Sequence, residues 1–197
     1  MNVRDAVQLI APPVLGGGRW ADLGAGRGTF TAALARLLGP GGTVYAIERD
    51  ATAIAALEML ARRGGSDGRS AIVVRHADFT QPMELPSLDG VLLANALHFV
   101  PDNEQARVLE HVARGVIRGG AIVVVEYDNR PPSFRLRRHN VRRADVAALA
   151  PINLISADAE EPSPNGSSSI HVGWSLQRAG ARRAARRRGP RANAAVR

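Results

Sequence analysis

Three glycines at alternate positions, Gly24, Gly26 and Gly28, follow a short apolar run that contains an acid, Asp22. Glycine has no Cβ and readily adopts positive φ, so a chain turning sharply out of a strand can lie directly against a ligand there. A helix-like segment begins at once, at Thr29, and its first backbone N–H groups suit a carboxylate or a phosphate. The pattern predicts a strand, a tight turn and a helix that bind a nucleotide-like ligand. A purely structural turn is the alternative interpretation.

Four further side chains that can form hydrogen bonds end or follow later apolar runs, namely Glu48, Asp78, Asn95 and Tyr127. The carboxyl ends of parallel strands meet at one edge of a sheet, where ligands of such folds bind. Glu48 follows the glycine turn by about 20 residues, a spacing typical of a carboxylate that binds ribose hydroxyls. The alternatives are a solvated strand end for Glu48, a loop cap for Asp78 and a core position for Tyr127.

Of the five histidines, His98 is the candidate general base, because it lies just beyond the fourth apolar run. Packing, or capping of the next helix, is the alternative role for this ring. The chain has no cysteine, which excludes disulfides and thiolate metal ligands. We predict no metal site.

The elements that must position these residues alternate between strand and helix, which predicts an α/β fold with a parallel sheet between helices. Strands are predicted at 19–23, 43–47, 71–75, 90–94 and 121–127, and helices at 3–10, 29–38, 51–63 and 103–116. Beyond Pro132 we predict a helix at 134–150 and two antiparallel strands at 152–155 and 169–176, joined by a polar connection at 156–168.

Composition bounds the class of protein. The 197 residues suit one domain, and the net charge of +8 comes from a tail, 178–197, with eight arginines and no acid. The other 177 residues carry 18 basic and 18 acidic groups, and every basic residue is arginine. We predict a folded domain at 1–177, a disordered tail and a cytoplasmic location, since neither a signal peptide nor a membrane span is evident.

Residues 15–177 resemble the class I S-adenosylmethionine-dependent methyltransferases. The motifs that carry the resemblance are the run from Ala21 to Gly28, Glu48, the triplet Ala77, Asp78 and Phe79, the triplet Asn95, Ala96 and Leu97, and the turn Arg118, Gly119 and Gly120. The resemblance implies a three-layer α/β/α sandwich around a seven-stranded, mostly parallel sheet whose last strand is antiparallel. It also implies S-adenosylmethionine as the cofactor.

The resemblance further implies a role for each residue near the predicted sheet edge. The turn would contact the methionine and ribose portions, Glu48 both ribose hydroxyls and Asp78 the adenine amino group. Asp22 would orient the turn and the ammonium group of the ligand. Asn95 and the backbone of 96–98 would border the sulfonium and its methyl. The full predicted cofactor set is Asp22, Gly24, Ala25, Gly26, Gly28, Glu48, Arg49, Asp78, Phe79, Asn95 and Ala96. Methyl transfer needs alignment above all, and a base such as His98 only if the acceptor must lose a proton early.

A small-molecule methyl acceptor is the favoured partner, because the chain carries no large insertion. The alternatives are a methyltransferase or binding module for RNA that uses the arginines of 135–143 and the tail, and an oxidoreductase using a nicotinamide dinucleotide. Thr29 stands where the dinucleotide fingerprint requires its third glycine. A domain that binds the cofactor without catalysis also stays open, as does the oligomeric state.

Overall fold

The computed structural model describes residues 1–63 and 68–127, together with the backbones of two strands at 157–161 and 168–176. The described helices are α1 (Val3–Ile10), α2 (Thr29–Leu38), α3 (Ala51–Arg63) and α4 (Asp102–Arg114). The first five strands are β1 (Gly18–Leu23), β2 (Gly42–Glu48), β3 (Ala71–His76), β4 (Leu88–Ala94) and β5 (Val116–Tyr127). A short 3-10 turn (Leu97–Phe99) follows β4.

These five strands form a parallel sheet in the order β3, β2, β1, β4, β5. The chain therefore reverses its direction of progress between β1 and β4, and the loops after these two strands separate to leave a crevice at their carboxyl ends. The sheet confirms the predicted α/β, Rossmann-like class.

Apolar side chains alternate between the two faces of the sheet, so both faces are covered. On one face Trp20 and Leu92 pack with residues of α1 and α2, while α3 packs near β2 and β3. On the other face Leu23 and Leu93 pack with the apolar stripe of α4. Helices on both faces explain why the central strands are almost continuously apolar.

Two further strand backbones, β6 (Ala157–Glu161) and β7 (Ser168–Leu176), extend the sheet beyond β5. Strand β7 is antiparallel to β5, and β6 is antiparallel to β7. The chain between β5 and β6 lies outside the described residues, so the complete seven-stranded sheet stays a prediction. So do the helix at 134–150, the strand at 152–155 and the tail.

The largest errors in the predicted boundaries lie at the start of β5 and in the connection before β7. Helix α4 was predicted to end at Val116 and β5 to begin at Ala121, but α4 ends at Arg114 and β5 begins at Val116, which pairs with Leu88 of β4. The predicted polar connection at 156–168 contains β6, whose pairing with β7 outweighs the weak strand propensity of its alanines and acids. Within 1–63 and 68–127, the helices lack the length and apolar character needed to cross a membrane.

Candidate active site

The glycine turn is fastened to the end of β2, and its glycines have different surroundings. The N–H groups of Gly24 and Ala25 donate to the carbonyl of Ile47, at 2.9 and 3.0 Å. All three glycines have positive φ. A Cβ on Gly24 would lie 2.7 Å from the Cβ of Ala96, whereas a Cβ on Gly26 would have no protein atom within 4 Å. Gly26 therefore faces open space, which fits the predicted close approach of a ligand.

Gly28 lies directly before α2, as its N-cap. A Cβ there would lie 2.9 Å from a terminal carbon of Leu60 and 3.0 Å from one of Leu57, so this side of Gly28 faces α3. The predicted cofactor contact of Gly28 stays a prediction.

The Glu48 carboxylate, at the end of β2, gathers the backbone N–H groups around it. Its Oε2 accepts from the N–H of Gly26 at 2.7 Å. Its Oε1 accepts from the N–H groups of Arg49 at 2.7 Å and Asp50 at 2.8 Å. A carboxylate has about four lone-pair positions, so these bonds leave a further position on Oε2. The predicted contact with both ribose hydroxyls stays a prediction.

Asp22 lies beneath the turn instead of at its surface. The residue is 1% exposed, and its Oδ2 accepts a 2.6 Å hydrogen bond from the hydroxyl of Thr31. Burial raises the pKa of Asp22 to about 7, against the lowering effect of Thr31, and the nearby charge of Glu48 raises it further. Its predicted orienting of the turn fits this position, but the carboxyl is not presented to a ligand.

Asp78 is held by its own loop. Its Oδ1 accepts from the N–H and the hydroxyl of Thr80, at 2.9 and 2.8 Å, and Arg49 donates to its Oδ2 at 3.4 Å. Partial desolvation would raise the pKa of Asp78, but the two bonds from Thr80 and the charge of Arg49 outweigh it and lower the pKa. The loop-cap alternative thus describes part of its role, and a contact with adenine stays a prediction.

The segment after β4, residues 95–100 and hereafter the post-β4 segment, contains two unpartnered buried atoms. Asn95 has φ of 53° and is the one residue other than glycine with positive φ in the described part of the chain. Its N–H donates to the carbonyl of Val125 at 2.8 Å, while its buried Oδ1 has no partner. Strained backbone of this kind concentrates at functional sites.

The second unpartnered atom belongs to His98. Its Nδ1 lies 2.5 Å from Oε2 of Glu126, and its buried Nε2 has no partner among the described residues. Both residues are buried, with His98 5% and Glu126 8% exposed. Glu126 is a residue that the sequence analysis missed, although an acid ending the β-branched run of β5 was a visible signal.

These parts enclose one cavity of about 690 Å³ at the carboxyl ends of the strands. This volume suits a small-molecule site. The predicted site residues that line it are Gly24, Ala25, Gly26, Glu48, Arg49, Phe79, Asn95 and Ala96. Asp22, Gly28, Asp78 and His98 are not among the lining residues. Met1, Thr80, Phe99 and Val100 also line the cavity and were missed. Thr80, Phe99 and Val100 follow predicted residues closely in sequence, whereas Met1 reaches the cavity only through tertiary packing.

The described residues hold no cluster of three or more histidines and acids that could bind a metal ion. The cavity wall instead presents the Glu48 carboxylate, which has an acceptor position left on Oε2, beside the open glycine Gly26. This arrangement fits a hydroxyl-bearing group such as a ribose.

The parallel sheet, the glycine turn and the strand-end acid together define a Rossmann-like α/β fold with a cavity at its switch point. The family profile described as "Methyltransferase domain" matches residues 21–124, just over half of the chain. The chain belongs to this family, which confirms the resemblance to the class I S-adenosylmethionine-dependent methyltransferases and the assignment as an enzyme of that class. No curated protein matches the sequence.

Solved structures agree on the fold. The 1,6-didemethyltoxoflavin-N1-methyltransferase of Burkholderia thailandensis, crystallised with its acceptor and S-adenosylhomocysteine, has a TM-score of 0.67 at 18% identity, over 90% of this chain and 78% of that one. The magnesium protoporphyrin IX methyltransferase of Synechocystis PCC 6803, with bound S-adenosylmethionine, has a TM-score of 0.62 at 19% identity, over 88% of this chain and 77% of that one. The N-terminal domain of EvdMO1, with bound S-adenosylhomocysteine, has a TM-score of 0.66 at 21% identity, over 90% of this chain and 82% of that one. At these identities the likeness concerns the fold alone.

Proposed function

We propose that this chain transfers the methyl group of S-adenosylmethionine to a small-molecule acceptor by in-line displacement. The observation that carries the proposal is the open side of Gly26 next to the Glu48 carboxylate, at the switch point of the sheet. Gly26 lines the cavity, and a Cβ at this position would have no protein atom within 4 Å.

The proposed cofactor contacts follow from the atoms that remain available at the wall. Oε2 of Glu48 accepts one N–H and keeps a lone pair for a ribose hydroxyl. The ring of Phe79 lies beside Gly24 and lines the cavity, which suits an adenine base. Arg49 and Thr80 line the same side, and we assign them to the adenosine end together with Asp78.

The chemistry of the transfer makes few demands on the protein. The bound cofactor supplies a methyl carbon that is already activated by its positive sulfonium. The chain's residues hold the two reactants in line and keep water out, and this alignment is the main source of rate. The post-β4 segment, which adjoins the glycine turn where Ala96 faces Gly24, forms the wall that we assign to the acceptor, with Asn95, Phe99 and Val100 at the cavity.

Small acceptors are supported by the size of the cavity and by the neighbours in fold, two of which are named for a didemethyltoxoflavin and a magnesium porphyrin. The arginine segment on which an RNA-directed alternative depends lies outside the described residues. We also propose that 1–177 form one domain with a seven-stranded sheet, supported by the paired backbones of β5, β7 and β6. The cytoplasmic location stays a prediction.

Titration calorimetry with S-adenosylmethionine, S-adenosylhomocysteine and NADH tests the cofactor site. We expect micromolar binding of the first two and none of the third, and Gly26→Val should abolish the binding. Transfer of a labelled methyl group to a panel of small molecules, with total RNA in parallel, tests the acceptor class. Labelling of RNA alone would refute the small-molecule proposal, and binding of NADH alone would refute the cofactor.

A further inference from the structure

A buried carboxylate at the end of β5, that of Glu126, takes three contacts from the post-β4 segment. Its Oε1 accepts from the N–H groups of Leu97 at 3.0 Å and His98 at 3.3 Å. Its Oε2 lies 2.5 Å from Nδ1 of His98, and because a carboxylate oxygen can only accept, we assign Nδ1 as the donor. Because both residues are more than nine-tenths buried, solvent does not compete for these charge-assisted bonds.

Leu97 and His98, the residues held in this way, lie in sequence between residues of the cavity wall. Asn95 and Ala96, which precede them, line the cavity, and so do Phe99 and Val100, which follow them. Asn95 is in a left-handed conformation that persists only where neighbouring structure fixes it. A second anchor involves no charged group: Nε2 of Gln105 donates to the carbonyl of Val100 at 3.1 Å, and a neutral bond of this kind is weaker than a charge-assisted one.

We propose that Glu126 is a positioning residue for methyl transfer, which fixes the acceptor wall through the backbone of Leu97 and the ring of His98. The proposal rests on the proposed function and deepens it. His98 takes part as the partner of Glu126, because its ring is buried and does not line the cavity. Its effect on the reaction passes through the wall.

Three variants separate this role from that of a base. Glu126→Gln keeps the shape of the side chain but loses its charge, and His98→Ala removes the ring. His98→Asn keeps a side-chain N–H near the position of Nδ1 and lacks any counterpart of Nε2. Glu110→Gln, on the exposed face of α4, is the matched control. Each variant is first checked for native circular dichroism.

The measurements are hydrogen exchange of the amides of 96–100, affinity for S-adenosylhomocysteine, and kcat with the acceptor that the labelling panel identifies. We expect Glu126→Gln and His98→Ala to exchange these amides at least about tenfold faster and to lose at least about tenfold in kcat, with affinity changed by less than about threefold. His98→Asn should restore exchange and kcat to within about threefold of the wild type.

Two results would overturn the proposal. Unchanged exchange at 97 and 98 in Glu126→Gln would mean that the carboxylate does not hold the segment. Native exchange in His98→Asn, combined with a kcat as low as that of His98→Ala, would mean that the imidazole itself is required as a base. Hydrogen exchange needs no ligand, so it tests whether Glu126 holds the post-β4 segment even if the protein binds no S-adenosylhomocysteine.

Discussion

Alanine substitutions at Gly24 and Gly26 should separate a glycine required by packing from one required by the ligand. Both residues have positive φ, 76° and 52°, so each substitution introduces backbone strain of about 1–2 kcal/mol. At Gly24 the new Cβ would also lie 2.7 Å from that of Ala96, and overpacking of this kind costs a further ~1–3 kcal/mol. We therefore expect the free energy of unfolding to fall by about 2–5 kcal/mol for Gly24→Ala and by about 1–2 kcal/mol for Gly26→Ala.

Urea unfolding followed by circular dichroism measures both stabilities, and calorimetry with S-adenosylhomocysteine measures binding. Gly26→Ala should stay folded and lose at least about tenfold in affinity, because its methyl group enters the space assigned to the ligand. In a double-mutant cycle, adding Ala96→Gly to Gly24→Ala should restore at least about 1 kcal/mol of the free energy of unfolding, because Ala96→Gly removes the Cβ that lies against position 24. Equal stabilities for the two single variants, or no coupling between 24 and 96, would refute the assignment of their roles.

Three other predictions concern the acids of the site. Glu48→Gln should weaken binding of S-adenosylhomocysteine at least about tenfold, and unchanged calorimetric affinity in a folded variant would remove Glu48 from the site. The pKa of Asp22 is raised on folding, from 3.8 to about 7, so the stability that its protonated form contributes is fully present below about pH 4 and is lost as the pH rises through 7. Asp22→Asn should therefore gain more stability at pH 8 than at pH 5 in urea unfolding, and an equal gain at both would contradict the shift. Thr80→Val should move the pKa of Asp78 up towards 3.8 in a carbon NMR titration, because it removes the hydroxyl that donates to the Asp78 carboxylate. An unchanged pKa would mean that the Thr80 hydroxyl does not lower it.

Local sequence features predicted the strand, turn and helix around Gly26, because glycine spacing and an apolar run act within about ten residues. They did not distinguish Gly24 from Gly26. That distinction depends on Ala96, which belongs to a different strand-end loop and reaches Gly24 only through the pairing of β1 with β4. Strand-end positions likewise predicted Glu48 at the cavity, but not that its oxygens already hold three backbone N–H groups.

The same limit applies at His98 and Asp22. Each is an ionisable residue next to the predicted sheet edge, and position alone favoured contact with a ligand. The structure gives each a buried partner on another element, Glu126 for Nδ1 of His98 and Thr31 for the carboxyl of Asp22. Such pairs join residues on different elements, so a single sequence offers the two candidates without showing that they meet.

Glu48 and Glu126 position two walls of the cavity in the same way, by accepting hydrogen bonds from backbone N–H groups. Each is a strand-end carboxylate that gathers backbone N–H groups of an adjacent loop, Glu48 for the glycine turn and Glu126 for the post-β4 segment. They differ in what remains for a ligand. Glu48 lines the cavity with a lone pair to spare on Oε2, whereas Glu126 does not line it, and its second oxygen is engaged by His98. Glu48 can therefore bind as well as position, and Glu126 acts on the ligand only through the wall it holds.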